Sequence, residues 1–147
     1  MLRNRSVPVD TVLPHITYKN LPEAIEWLTS TLGFVEHFRY GEPVAGAQLR
    51  LGKAWIMVRS ARGEYRSPAE LGFGTQSLTV FLENVEEHYA RLKAAAITLV
   101  EELHETEYGE LQYAITDLEG HHWLFSRHAR DVSPEAWGAT ETNPDIG

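Results

Sequence analysis

The strongest constraint on this chain is that it spells one structural unit twice. The segments "NLPEAIEWLTSTLGF" (20–34) and "NVEEHYARLKAAAITLV" (84–100) both open on asparagine and then place apolar residues at helical spacing. In the first, Asn20 and Glu23 stand at capping-box spacing and Pro22 falls in the first turn, where a missing N–H costs nothing. Ala24, Ile25, Trp27, Leu28 and Leu32 form the apolar stripe, and Gly33 is a natural stop. In the second, Asn84 caps, and Glu86 and Glu87 complement the positive end of the helix. Val85, Tyr89, Leu92 and Ala96 supply its stripe.

Each helix comes after one strand-like run and precedes three. "TVLPHITYK" leads the first, with "VEHFRYG", "AGAQLRLG" and "AWIMVRS" behind it. "QSLTVFLE" leads the second, with "TLVEELHE", "LQYAITD" and "HHWLFSRH" behind it. The chain therefore predicts an α+β fold of two βαβββ units, with Asn20 matching Asn84, Leu28 matching Leu92 and the Trp55 strand matching the Trp123 strand. At 147 residues we expect a single domain. Unit one covers about 10–60, a Gly/Ser/Arg-rich linker 61–74, unit two 75–128 and a polar tail 129–147. Trp137 is the tail's one large aromatic residue and can pin it to the body or to a partner subunit.

Charge and composition narrow the function. A net charge of −8 repels phosphate backbones and disfavours nucleic acid, while it favours cationic small molecules wherever carboxylates face a cleft. The apolar runs are too short to cross a bilayer, and no apolar segment stands behind the basic residues near the start, so neither a membrane span nor a signal peptide is expected. With no cysteine there is no disulfide, thiolate metal site or cysteine nucleophile, which suits a cytoplasmic protein.

Landmarks within the repeat carry a resemblance. "LGF" after the first helix and D-x-E-G-H-x-W before the last strand, in "YGELQYAITDLEGHHWLF", resemble the vicinal oxygen chelate superfamily over about residues 10 to 128. That superfamily takes in glyoxalase I, fosfomycin-resistance enzymes, extradiol dioxygenases and bleomycin-resistance proteins. Leu118 stands where the family usually has proline, and the tail "VSPEAWGA" is similar to the C-terminal tail of a metal-free branch. The resemblance implies curved mixed sheets around a ligand cleft, helices outside, and a homodimer whose clefts draw on both chains, while two βαβββ units in one chain could also close a cleft between themselves. It also implies three metal-ligand positions, which here carry Leu13, Ser77 and Leu124. Leucine has no donor atom and un-ionised serine is a poor ligand, so no metal cofactor is expected. A displaced divalent-metal site using His15, His122 and a carboxylate is the alternative. His121 and His122 are adjacent and should point to opposite faces, with His121 turned from the cleft.

Strand alternation then sorts a cleft wall. His15, Thr17, Gln48, Arg50, Ser77, Thr79, Gln112, His122 and Leu124 are assigned to it, together with Ala54, Ile56, Val58, Phe81, Ala114 and Ser126. Trp27, Trp55, Met57, Trp123 and Phe125 are assigned to the core, and His37, His88, His104 and His128 to the surface. Arg50 facing a cleft needs an anionic partner, either a ligand or an internal carboxylate. By the resemblance, Tyr108 stands where the family often places an aromatic ahead of the late strand, to stack on a planar ligand or to pack in the core. No serine–histidine–acid order, phosphate loop or HExxH is present. The expected function is a metal-free protein that binds a small organic, possibly cationic, molecule. The alternatives are a metal-dependent lyase, isomerase or dioxygenase with the displaced site, and an α+β module serving a protein partner.

Overall fold

A computed structural model of the chain describes Arg5 and residues 12–146. Unit one runs β1 (His15–Tyr18), α1 (Leu21–Ser30), β2 (Val35–Tyr40), β3 (Gly46–Leu51) and β4 (Ala54–Ser60). The connecting segment carries a single helical turn, α2 (Pro68–Leu71). Unit two runs β5 (Ser77–Phe81), α3 (Val85–Ala94), β6 (Leu99–Glu105), β7 (Glu110–Thr116) and β8 (His122–His128), and a 3₁₀ turn (Pro134–Trp137) comes after it. Each unit builds its own four-stranded mixed sheet, in the orders β1-β4-β3-β2 and β5-β8-β7-β6. The first strand of each lies parallel to the last, and the remaining pairs are antiparallel. No helix among the described residues is long and apolar enough to cross a membrane.

The helix starts form as their sequences direct. The Asn20 and Asn84 side chains accept from the Glu23 and Glu87 backbone N–H groups at 3.4 and 3.1 Å. Each amide also donates to its glutamate, at 3.0 and 2.9 Å. At α1 the glutamate does not return to the cap backbone as a capping box would. Glu119, a hundred residues away, takes that place: its carboxylate accepts from Lys19 N at 2.6 Å and Asn20 N at 2.9 Å.

Both helices bury their stripes in one core shared by the two units. Ile16, Tyr18, Leu28, Leu49, Ile56 and Val58 from the first pack with Val80, Leu92, Tyr113, Trp123 and Phe125 from the second. The Phe34 and Trp123 rings meet edge to face across the units at 5.6 Å. Removing such side chains from water stabilises the fold by roughly 1.5–3 kcal/mol each.

The turn "DLEGHH" couples the units through polar groups as well. Asp117 Oδ1 accepts from the backbone N–H of Glu119 (2.9 Å) and His121 (3.0 Å), closing a turn that Gly120 completes at φ +89°. Its Oδ2 accepts from Tyr18 OH at 2.7 Å and Trp123 Nε1 at 3.0 Å. Burial first, and the Asp117 charge second, hold the Tyr18 hydroxyl firmly protonated. His121 Nε2 donates to Thr17 O at 2.7 Å, and its ring lies edge-on to Tyr18. The histidine-rich stretch is thus a latch between units.

Two assignments are corrected. His88 is buried, not a surface residue. On α3 it lies between Val85 and Leu92 on the inward stripe. Its Nε2 donates to Leu32 O at 2.8 Å, which leaves Nδ1 to accept from the Tyr113 hydroxyl. Burial lowers its pKa, and Arg91 nearby acts in the same direction. The second correction concerns β4. Ile56 and Val58 are in the core and Ala54 packs against it, whereas Trp55 is half-buried on the opposite face, which it shares with Met57. The β3–β4 register pairs Gln48 with Met57 and Arg50 with Trp55, so those four residues share a face. Structurally Trp55 corresponds to His122 and Ile56 to Trp123; matching tryptophan with tryptophan shifts the repeat by one residue and flips the strand.

Candidate functional site

The site is built from the sheet faces turned away from the shared core. On sheet one the pairings His15–Met57, Thr17–Arg59, Gln48–Met57 and Arg50–Trp55 gather these side chains on one face. On sheet two the pairings Ser77–His122, Thr79–Leu124 and Phe81–Ser126 do the same, joined by Gln112, Ala114 and Thr116 of β7. The structure therefore brings His15, Thr17, Gln48 and Arg50 together on one face, and Ser77, Thr79, Gln112, His122 and Leu124 on the other. Tyr108, on the turn before β7, donates to Gln112 Oε1 at 3.2 Å and packs against Trp137 with ring centroids 5.5 Å apart. That contact pins the tail to the chain's own body. Ile56 lies apart from all of these, in the core, because its strand faces the other way.

The two faces approach each other where β1 meets the start of β8. A pocket of about 290 Å³ lies there, lined by His15 and Thr17 from unit one, His121 from unit two, and the connecting segment from Glu64 to Gln76. Tyr65, Leu71 and Phe73 on that segment are exposed aromatic or aliphatic groups. His122 lies just beyond, its ring beside Gly74 and its Nδ1 3.3 Å from the Thr116 hydroxyl. Contrary to the expectation from alternation, His121 lines the pocket. It precedes the first regular residue of β8, where alternation has not begun.

Sheet one carries a group that alternation alone does not reveal. The β2–β3 register shifts between Glu36 and Phe38, so His37 is the extra residue of a bulge. A bulge re-aims its side chain. The His37 ring meets the edge of Trp55 at 5.5 Å, and its Nδ1 lies 2.6 Å from Gln48 Oε1. An amide oxygen only accepts, so Nδ1 carries the proton and Nε2 of the neutral ring is an acceptor. Gln48 is nearly fully buried and its amide nitrogen reaches Met57 Sδ at 3.6 Å, which orients the amide. The Arg50 guanidinium stands 5.7 Å from the Trp55 ring centroid, within cation–π range.

The donors present do not fit a divalent ion at the family's positions. Leu13 and Leu124 end in hydrocarbon, and Ser77 is flanked on its face by Thr79 and His122 rather than by a carboxylate. Among the described residues no three His, Asp or Glu side chains gather closely enough to hold a metal. Three of the carboxylates are committed elsewhere: Glu119 to the β1–α1 backbone, Glu110 to His128, Glu70 to the start of α2. Among the described residues the buried Ser126 hydroxyl and one Glu110 oxygen lack a hydrogen-bond partner.

Residues 9–125 match the family model described as the Glyoxalase/Bleomycin resistance protein/Dioxygenase superfamily. No curated protein sequence matches. Among solved structures, the chain is similar to TioX from Micromonospora sp. ML1, at 30% identity and a TM-score of 0.69 over 81% of this chain and 98% of that one. It is also similar to UcmS2, at 20% identity and TM-score 0.61 over 80% and 98% of the two chains. Lactoylglutathione lyase from Agrobacterium tumefaciens matches at 13% identity and TM-score 0.62 over 82% and 94%. The last two likenesses establish the fold alone.

Proposed function

For a chain that belongs to the Glyoxalase/Bleomycin resistance protein/Dioxygenase superfamily, we propose a metal-free binding function: capture of a small organic molecule on the sheet faces turned from the core. The observation that carries this reading is the make-up of those faces. They combine apolar area (Met57, Trp55, Phe81, Leu124) with spaced hydrogen-bonding groups (His15, Thr17, Thr79, Gln112, His122), the composition of a small-molecule site. The described residues at these positions lack the convergent carboxylate and imidazole donors that Lewis-acid chemistry needs. Binding of this kind needs no reacting group on these faces. Family membership supports a homodimer, in which a second copy would complete each cleft, and a cysteine-free chain suits a cytoplasmic setting.

The test is calorimetric titration of tag-free, chelator-treated protein with a panel of planar and cationic organic compounds. Saturable 1:1 binding that is unchanged when Zn²⁺, Mn²⁺ or Fe²⁺ is added supports the reading. Binding that appears only with a stoichiometric divalent ion, with that ion retained in elemental analysis, favours the metal-dependent lyase, isomerase or dioxygenase instead.

A further inference from the structure

The outward face of sheet one is basic, although the chain carries a net charge of −8. Arg50 and Arg59 both present there, beside the His15 and His37 rings, and Arg59 sits over the Tyr65 ring at 4.9 Å. Among the described residues neither Arg50 nor Arg59 is paired with a carboxylate. The glutamate on the neighbouring edge strand, Glu36, is held by Arg39 at 2.6 Å. Arg127 and Arg130 by contrast are bound to Glu86 and Glu105. This face therefore keeps two guanidinium groups that no carboxylate among the described residues neutralises.

We propose that this face is a recognition subsite for a planar aromatic anion, with Arg50 taking the anionic group, Trp55 the ring, and His37 Nε2 a hydrogen-bond donor on the ligand. The proposal rests on the small-molecule reading above and adds to it the ligand's chemical class. The guanidinium stands over an indole, so it is oriented before any ligand arrives and loses less rotamer freedom on binding. The half-buried Trp55 ring offers polarisable surface on this face, which suits an aromatic ring more than an alkyl chain. The bulge at His37 and the Gln48 amide that fixes its proton supply an acceptor beside the same indole. Overall negative charge steers cations toward the molecule at long range, but within contact distance the local guanidinium decides, because short-range pairs are screened least.

Three naphthalene probes of matched shape test it by calorimetry: 2-naphthoate, its methyl ester, and 2-naphthylmethylammonium. We expect 2-naphthoate to bind at least about tenfold more tightly than the ammonium, the discrimination one charge-assisted pair supplies. Arg50→Gln should erase that preference, weakening 2-naphthoate about tenfold while leaving the ester within about twofold, and Trp55→Leu should weaken all three. Arg127→Gln, which removes a guanidinium already bound to Glu86, serves as the control and should leave 2-naphthoate binding unchanged. Unchanged melting temperatures establish that each variant is folded. Equal or tighter binding of the ammonium, or 2-naphthoate binding indifferent to Arg50→Gln, overturns the anion assignment while leaving a small-molecule binder. Binding by none of the three overturns it too, and the broader panel above then judges the binding function separately.

Discussion

Asp117 shows how much one side chain carries. It is buried, and its two oxygens accept from two backbone N–H groups, a phenol and an indole. Asp117→Asn replaces one acceptor by a donor that faces Tyr18 OH and Trp123 Nε1. Leaving those two buried donors unmatched should cost about 3 kcal/mol, read as a lowered midpoint in urea denaturation. His88 gives a pH signature. Burial lowers its pKa below the unfolded value near 6.5, so below that pH the unfolded chain takes up a proton that the folded ring resists. Stability contributed by the neutral ring is complete above about pH 6.5 and is lost as pH falls further. Chemical denaturation from pH 8 to pH 5 should show a decline in wild type that is shallower in His88→Gln; parallel curves would contradict the assignment. The cue that could have placed His88 in the core was its spacing, since Val85, His88 and Leu92 are three and four residues apart on one helix stripe. Its polarity masked that pattern. Asp117's role was not legible, because it depends on Tyr18, a partner on a strand far earlier in the chain.

At the level of elements, the features legible in the sequence were local. The Asn caps, the stop at Gly33 and the order of strands arise from short-range chemistry. Asn84→Ala should cost about 1 kcal/mol in thermal or urea unfolding, since its side chain satisfies the Glu87 N–H. Gly109 is a stricter position. Its φ is +88° and an added Cβ would collide with the Arg130 carbonyl oxygen, so Gly109→Ala should open the β6–β7 turn and expose Tyr108, seen as faster amide exchange around residues 106–112. Facing was legible where strands alternate, as in "SLTVF" and "LQYAIT", and the outward set on sheet two reflects it. It failed in "AWIMV", whose residues are all apolar, so that alternation gives no phase and only the pairing with β3 fixes it. The aim of His37 was hidden for a related reason: a bulge is set by register between two strands and leaves no mark in composition.

At the level of the molecule, two repeats share one core and one polar latch, so neither half is expected to stand alone. Trp123 of unit two packs on Phe34 of unit one, and Glu119 of unit two caps the helix of unit one. Urea unfolding should therefore be a single transition by both tryptophan fluorescence and far-UV circular dichroism, and a fragment covering 12–74 should lack the spectrum of a folded domain. Two separate transitions would show that the latch and shared core couple the units only weakly. The shared core also fixes the site, because burying one face of each sheet leaves the other to carry His15, Arg50 and Trp55 on one side and Thr79, His122 and Leu124 on the other. Family membership was legible from ordered landmarks, whereas the ligand's charge preference depends on which arginines find carboxylates, and that is a property of the folded surface. The central claim, small-molecule binding on these faces without a metal, is tested most directly by ¹⁵N-HSQC titration of chelator-treated protein with 2-naphthoate and a fragment panel. Saturable shifts are expected, confined to β1, β2, β3, β4, β5, β7 and β8, with the Trp55 indole N–H among those that move. Shifts that map elsewhere, or that arise only after a divalent ion is added, would contradict it.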